Sequence, residues 1–119
     1  MNFYVVDDDP EVLTILSRML EEAGHRVEAS PSSLAALKQI PMSRPDCVIT
    51  DLMMPEMDGF ELMRKLRERH ELADVKIVVL SAKGYDFDRR RAKELGADGY
   101  LTKPAQPSTL IDAIQALVG

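Results

Sequence analysis

The sequence predicts an α/β domain, a doubly wound five-stranded parallel sheet flanked by five helices. Three observations predict it. Short apolar runs alternate with longer stretches of three- and four-residue period along the 119 residues. The run Ile77-Val78-Val79-Leu80 is apolar on both faces, as suits a central parallel strand covered on both sides. Gly24, Pro41 and Gly96 stand where helical periods stop. Right-handed crossovers are expected.

The first strand is read over Asn2–Val6. Asp9-Pro10 then supplies an N-cap and a first helical residue. Val12, Leu13, Ile15, Leu16, Met19, Leu20 and Ala23 make one helix face, ended by Gly24. His25–Ala29 is a short second strand. Ser32 or Ser33 caps a helix carrying Leu34, Leu37 and Ile40, which Pro41 stops, leaving Ile40–Pro45 as a surface loop. Asp46–Thr50 is the third strand, and Gly59–His70 a helix with Leu62, Met63 and Leu66 inward. Lys76–Ser81 is the fourth strand and Asp86–Leu95 a polar helix. Gly99–Thr102 is the fifth strand, and Ser108–Val118 a helix burying Leu110, Ile111, Ile114 and Leu117.

Composition narrows the function classes. Hydrophobic residues make up 45% and charged residues 29%, a globular balance that argues against disorder. The net charge of −5 argues against direct nucleic-acid binding and against binding to a membrane surface. No apolar run approaches the ~20 residues of a bilayer-spanning helix, so no membrane insertion is expected. One cysteine excludes an internal disulfide and suits a cytoplasmic location. Two histidines and one cysteine are too few for a common structural zinc site. One domain over residues 1–119 is expected, with no secretory signal before it and no output domain after Gly119.

Ligands of open parallel sheets bind beyond the carboxyl ends of the strands. Those ends carry Asp7-Asp8-Asp9, Thr50-Asp51, Ser81-Ala82 and Thr102-Lys103-Pro104. Carboxylates brought together there repel, by roughly 4 kcal/mol per pair ~4 Å apart at an effective dielectric near 20. A divalent cation relieves this, and an all-oxygen donor set favours Mg²⁺. Lys103 adds a point charge and Ser81 a hydrogen-bond donor. Such a site suits a phosphoryl group in transit, and a carboxylate within it can be the nucleophile.

Four segments carry a resemblance. They are Val5-Val6-Asp7-Asp8, Asp51-Leu52-Met53-Met54-Pro55-Glu56-Met57-Asp58-Gly59, Val79-Leu80-Ser81-Ala82 and Gly99-Tyr100-Leu101-Thr102-Lys103-Pro104. In this order and spacing the chain resembles, over its full length, the receiver domain of bacterial response regulators in two-component signalling. The resemblance implies a flavodoxin-like sheet of strand order 2-1-3-4-5. It implies Asp51 as phosphoacceptor, and a metal site formed by Asp8 directly, Asp7 mainly through water, Asp51, and the backbone carbonyl of Met53. Ser81 resembles the switch hydroxyl, Lys103 the lysine that pairs with the phosphoryl group, and Tyr100 the aromatic switch. Met53 and Lys83, two residues after Asp51 and Ser81, are implied to tune dephosphorylation, slowly because Met53 cannot orient water. Lys103-Pro104 is similar to the family's cis peptide.

The implied function is a phosphoryl-accepting switch of a phosphorelay. A histidine kinase or phosphotransfer protein is the donor, and the face of the fourth helix, fifth strand and fifth helix binds a downstream protein. It is not an enzyme beyond its own phosphorylation and dephosphorylation. The sequence departs from the common pattern at Ala105, where an apolar aromatic or Val often follows. Thr109 and Ala113 replace the acid and arginine that pair across dimers in the transcription-factor branch.

Three other functions compete. Asp7-x-Asp9 resembles the start of a haloacid-dehalogenase-type aspartate phosphohydrolase, but Pro10 replaces Thr or Val and no acidic pair or cap domain follows. A phosphorylation-independent interaction module is opposed by the complete acidic site. A flavin-binding protein would need a phosphate-cradling loop where Asp7-Asp8-Asp9 stands. Asp9 is read as a helix cap, Cys47 as a core residue, and six of the seven methionines as packing or turn residues. Arg89-Arg90-Arg91 reads as a solvated helix face, since successive helical residues point about 100° apart. His25 and His70 receive no role.

Overall fold

Five parallel strands, β1 (Asn2–Val6), β2 (Arg26–Ser30), β3 (Cys47–Thr50), β4 (Lys76–Ser81) and β5 (Gly99–Thr102), form one sheet of order 2-1-3-4-5, as expected. The computed structural model describes residues 1–103 and 107–118. Phe3 lies opposite both Val27 and Cys47, and Val48 opposite Ile77. Helices α1 (Pro10–Glu22), α2 (Ser33–Ser43), α3 (Gly59–Arg67), α4 (Asp86–Glu94) and α5 (Pro107–Val118) connect or follow the strands.

Alternation along the buried strands splits the core in two. Phe3, Val5, Cys47, Ile49, Val78 and Leu80 face Leu16 and Leu20 of α1 and Leu110 and Ile114 of α5. Tyr4, Val6, Val48, Ile77 and Val79 face Ala36 and Ile40 of α2, Leu62, Met63 and Leu66 of α3, and Ala92 of α4. Both faces of the sheet are therefore covered, which fits the uninterrupted apolar runs of β3 and β4.

Several boundaries differ from expectation. Strand β2 is shifted by one residue, because Arg26 pairs with Asn2 while His25 closes α1 through its N–H to the Leu20 carbonyl. Helix α2 passes through Pro41 and ends at Ser43, so of the expected loop Ile40–Pro45 only Arg44 and Pro45 lie outside the helix. Proline removes only the bond from position 41 to position 37. The next turn still closes because the Arg44 N–H reaches the Ile40 carbonyl with Arg44 in the left-handed region at φ 49°. Helix α3 ends at Arg67, and a separate 3₁₀ turn spans His70–Leu72. The Arg67 guanidinium causes this break by hydrogen bonding to the Leu72, Val75 and Gly96 carbonyls.

Three residues assigned to inward faces are exposed. Ile15 is 57% exposed, at the rim of the α1 stripe about 100° from Leu16. Ala23 is the C-cap residue past the helix end. Leu34 lies in the first turn of α2. Gly24 and Gly96 end their helices with positive φ, as their positions predict.

Gly59 fixes how α3 meets the end of β3. Its N–H bonds to the Leu52 carbonyl at 2.9 Å, and a Cβ there would lie 2.1 Å from the Asp51 carbonyl oxygen. Gly59→Ala is expected to destabilise the fold by about 1–3 kcal/mol through this backbone overlap. A urea titration with a lowered midpoint and unchanged m-value is the check. Burial pushes the Cys47 thiol up to about 12. An aromatic disulfide reagent should therefore fail to label the native chain at pH 8, and label its one cysteine once urea unfolds it.

Candidate functional site

The site lies where the strand order reverses, β1 having β2 on one side and β3 on the other. Strand β1 runs out into Asp7 and Asp8, and β3 into Asp51, whose N–H bonds back to the Val6 carbonyl at 3.1 Å. Strand β4 ends at Ser81, and its carbonyl accepts the Lys103 N–H at 2.8 Å, which sets the lysine at the end of β5. Four segments far apart in sequence are thus held at one edge by the parallel ladder.

The Lys103 ammonium donates to Asp7 Oδ2 at 2.7 Å and to Asp51 Oδ2 at 2.9 Å. Asp51 is 9% exposed. Its Oδ1 accepts the Leu52 N–H at 2.6 Å and the Met53 N–H at 3.3 Å. Asp7 is buried, and its Oδ1 accepts the Asp9 N–H at 2.9 Å. Burial pushes the Asp7 carboxyl above the usual carboxylate range, and the hydrogen bond from Lys103 offsets this only in part. For Lys103 burial acts downward, but the bonds to Asp7 and Asp51 prevail and hold its ammonium above the ordinary lysine value.

Asp8 is exposed, yet one carboxylate oxygen each from Asp7, Asp8 and Asp51 lie within 4.8 Å of one another. Three carboxylates facing one ammonium leave an excess of negative charge. The donor set is oxygen only and partly open to solvent. These residues fit a hard divalent cation that keeps some of its water, the coordination Mg²⁺ prefers.

The remaining residues singled out from sequence lie around this cluster. Ser81 is buried, and its Oγ accepts the Lys83 N–H at 3.3 Å. Among the described residues it makes no hydrogen bond to Asp7, Asp51 or Lys103. The Tyr100 hydroxyl donates to the Lys83 carbonyl at 2.6 Å, and the Lys83 side chain is exposed. Met53 is 59% exposed at the mouth of the site. Asp9 caps α1, its Oδ1 accepting the Glu11 N–H, and Cys47 is a core residue, both as read from sequence. The Lys103–Pro104 bond and Ala105 lie outside the described residues.

Sequence reading missed the braces of the β3–α3 loop. Buried Ser33 donates to the Met57 carbonyl at 2.6 Å, and Thr50 Oγ1 donates to the Asp51 carbonyl at 2.8 Å. Glu56 takes a positive φ of 70° in this loop. Gly59, the first residue of a helix already capped by Asp58, was a legible signal, since that position gains nothing from glycine unless another backbone approaches.

The family model for the response regulator receiver domain matches residues 3–115. The alkaline phosphatase synthesis transcriptional regulatory protein PhoP of Bacillus subtilis is 35% identical over 96% of this chain and 47% of its own length. The chain spans about half the length of this and several other curated relatives. The chemotaxis protein CheY4 of Vibrio cholerae superposes with a TM-score of 0.94 at 30% identity, over 98% of this chain and 97% of that one. The receiver domain of a sensor histidine kinase from Pseudomonas aeruginosa superposes with a TM-score of 0.90 at 27% identity, over 99% and 97% of the two chains. That structure has a magnesium ion coordinated in its active site cleft. With the strand order, the acidic cluster and the lysine bridge in place, this chain belongs to the response regulator receiver domain family, the signalling receivers of two-component systems.

Proposed function

We propose that the chain is a phosphoryl-accepting switch in which Asp51 takes the group from a phosphohistidine of a histidine kinase or phosphotransfer protein. One observation carries this reading: a single ammonium bridges Asp7 and Asp51 beside Asp8, leaving a carboxylate-rich pocket short of positive charge. An Asp51 carboxylate oxygen attacks phosphorus, the P–O bond forms, and the P–N bond breaks with its electron pair going to the leaving imidazole. Lys103 neutralises charge on the incoming group, and the Leu52 and Met53 N–H groups hold the Asp51 carboxylate in place. Asp7, Asp8 and Asp51, with the Met53 carbonyl, would hold Mg²⁺, which when bound would supply Lewis-acid stabilisation of the phosphoryl oxygens. Ser81 then donates its hydroxyl to a phosphoryl oxygen, and Tyr100 responds.

The downstream partner is a protein that reads the α4, β5 and α5 face. Thr109 and Ala113 carry no charge there, so the cross-dimer ion pairs of the transcription-factor branch have no counterpart at these positions. We place the protein in the cytoplasm; no helix among the described residues is long and apolar enough to cross a membrane. The phosphohydrolase reading needs Asp9 as an acid, and Asp9 uses its carboxylate as the α1 cap instead.

Incubation with acetyl phosphate and Mg²⁺ should add one phosphoryl group, mapped by mass spectrometry to Asp51. Chelation of the metal or Asp51→Asn should abolish it. Label on Asp7 would point to the phosphohydrolase, and no Mg²⁺-dependent label at all to the interaction module. Decay of the aspartyl phosphate should be slow, because the Met53 thioether orients no water and Lys83 shields the group. Met53→Asn should speed decay by about tenfold, below the range for full general base catalysis, since an amide positions water without taking its proton. Decay rates followed by phosphate release would check this, and an unchanged rate would remove Met53 as a tuning residue.

A further inference from the structure

The Arg89-Arg90-Arg91 run has no part in phosphoryl transfer; its three side chains are exposed, as read from sequence, and two of them also rest on aromatic rings. The three side chains leave α4 in different directions. The Arg89 guanidinium lies 4.7 Å from the centroid of the Tyr100 ring on β5, with Nη1 3.5 Å from the Tyr100 carbonyl oxygen. The Arg91 guanidinium lies 4.4 Å from the centroid of the Phe60 ring on α3. Arg90 stays at the surface beside Phe87 and Glu94. These two cation–π contacts strap a weakly held helix. Ala92 is the buried residue of α4, and Tyr85 gives its start no side-chain cap.

The Arg89 strap leads back to the phosphoryl site. The Lys83 N–H donates to Ser81 Oγ, the Lys83 carbonyl accepts the Tyr100 hydroxyl, and the Tyr100 ring carries Arg89. Each link is a direct contact, and the chain ends on α4. The Arg91 strap ends on α3, whose first residue is pinned to the end of β3 by the Gly59 bond to Leu52. One flank of α4 is therefore tied to the responsive loop and the other to the rigid one.

We propose that Arg89 is the coupling residue between Ser81 and α4, with Arg91 on Phe60 as the fixed pivot. When the Ser81 hydroxyl turns to a phosphoryl oxygen, its bond to the Lys83 N–H is redrawn. The Lys83 carbonyl and Tyr100 shift with it, and the platform under Arg89 moves. This deepens the switch function proposed above and rests on it.

The test is amide hydrogen exchange on the full chain, with and without Mg²⁺ and beryllofluoride, a phosphoryl mimic. In the parent, beryllofluoride should alter exchange in the segment after Asp51 and in α4. In Arg89→Met the change after Asp51 should persist while the α4 change is lost. Resting α4 amides should exchange about two- to fivefold faster, the factor an exposed cation–π contact supports. Arg89→Lys, which keeps the cation, should restore much of the α4 response. Arg91→Met should loosen resting α4 by a similar factor yet keep the response, which separates coupling from mere support. A parent-like α4 response in Arg89→Met overturns the coupling role and leaves the phosphoryl site intact. No change after Asp51 in the parent overturns the switch function and the coupling with it.

Discussion

The Lys103 ammonium between Asp7 and Asp51 is the contact on which the rest of the molecule depends. Two buried carboxylates at neighbouring strand ends would otherwise face each other, and an uncompensated buried charge costs several kcal/mol. The bridge joins the end of β5 to the ends of β1 and β3, across the crevice where the strand order reverses. It compensates only part of the local charge. The pocket keeps an excess of negative charge that suits a hard dication.

The surroundings of this bridge divide into a stiff side and a yielding side. On the stiff side, the Asp51 carboxylate is held by two N–H groups of its own loop, which Ser33, Thr50 and the Gly59 contact brace in turn. Such bracing fixes the orientation of this carboxylate, as the proposed phosphoacceptor role would require. On the yielding side, the segment after Ser81 is held by single hydrogen bonds through Lys83, and α4 buries little. Elements with few apolar contacts open at low free energy and are the ones able to move when a ligand arrives. One sheet edge thus has two adjacent but differently packed parts.

Legibility varied with how local the determining physics is. Asp9-Pro10 announced α1 because a cap needs only the next few N–H groups. The apolar runs of β3 and β4 announced buried central strands for the same kind of reason. Pro41 misled, because whether a helix outlasts a proline depends on Arg44 closing the next turn. His70 misled because the Arg67 guanidinium draws the 3₁₀ turn and the Gly96 loop together across the fold. Ile15 fell at the rim of its stripe, where only the position of the neighbouring helix decides exposure. The arginine run is exposed as read, but its contacts with Phe60 and Tyr100 were not legible because those rings lie on other elements.

By itself the sequence determined the class of fold, the strand ends that carry the acidic residues, Ser81 and Lys103, and the family to which they belong. These follow from period, caps and motif spacing, which are properties of short segments. Only the tertiary structure decided that Lys103 reaches both carboxylates, that Gly59 lets α3 close on the backbone of Asp51, and that Arg89 and Arg91 clasp opposite flanks of α4. Each of these joins residues from different elements. Such distances are set by the parallel ladder and by the packing of helices on both faces of the sheet, and no local pattern encodes them.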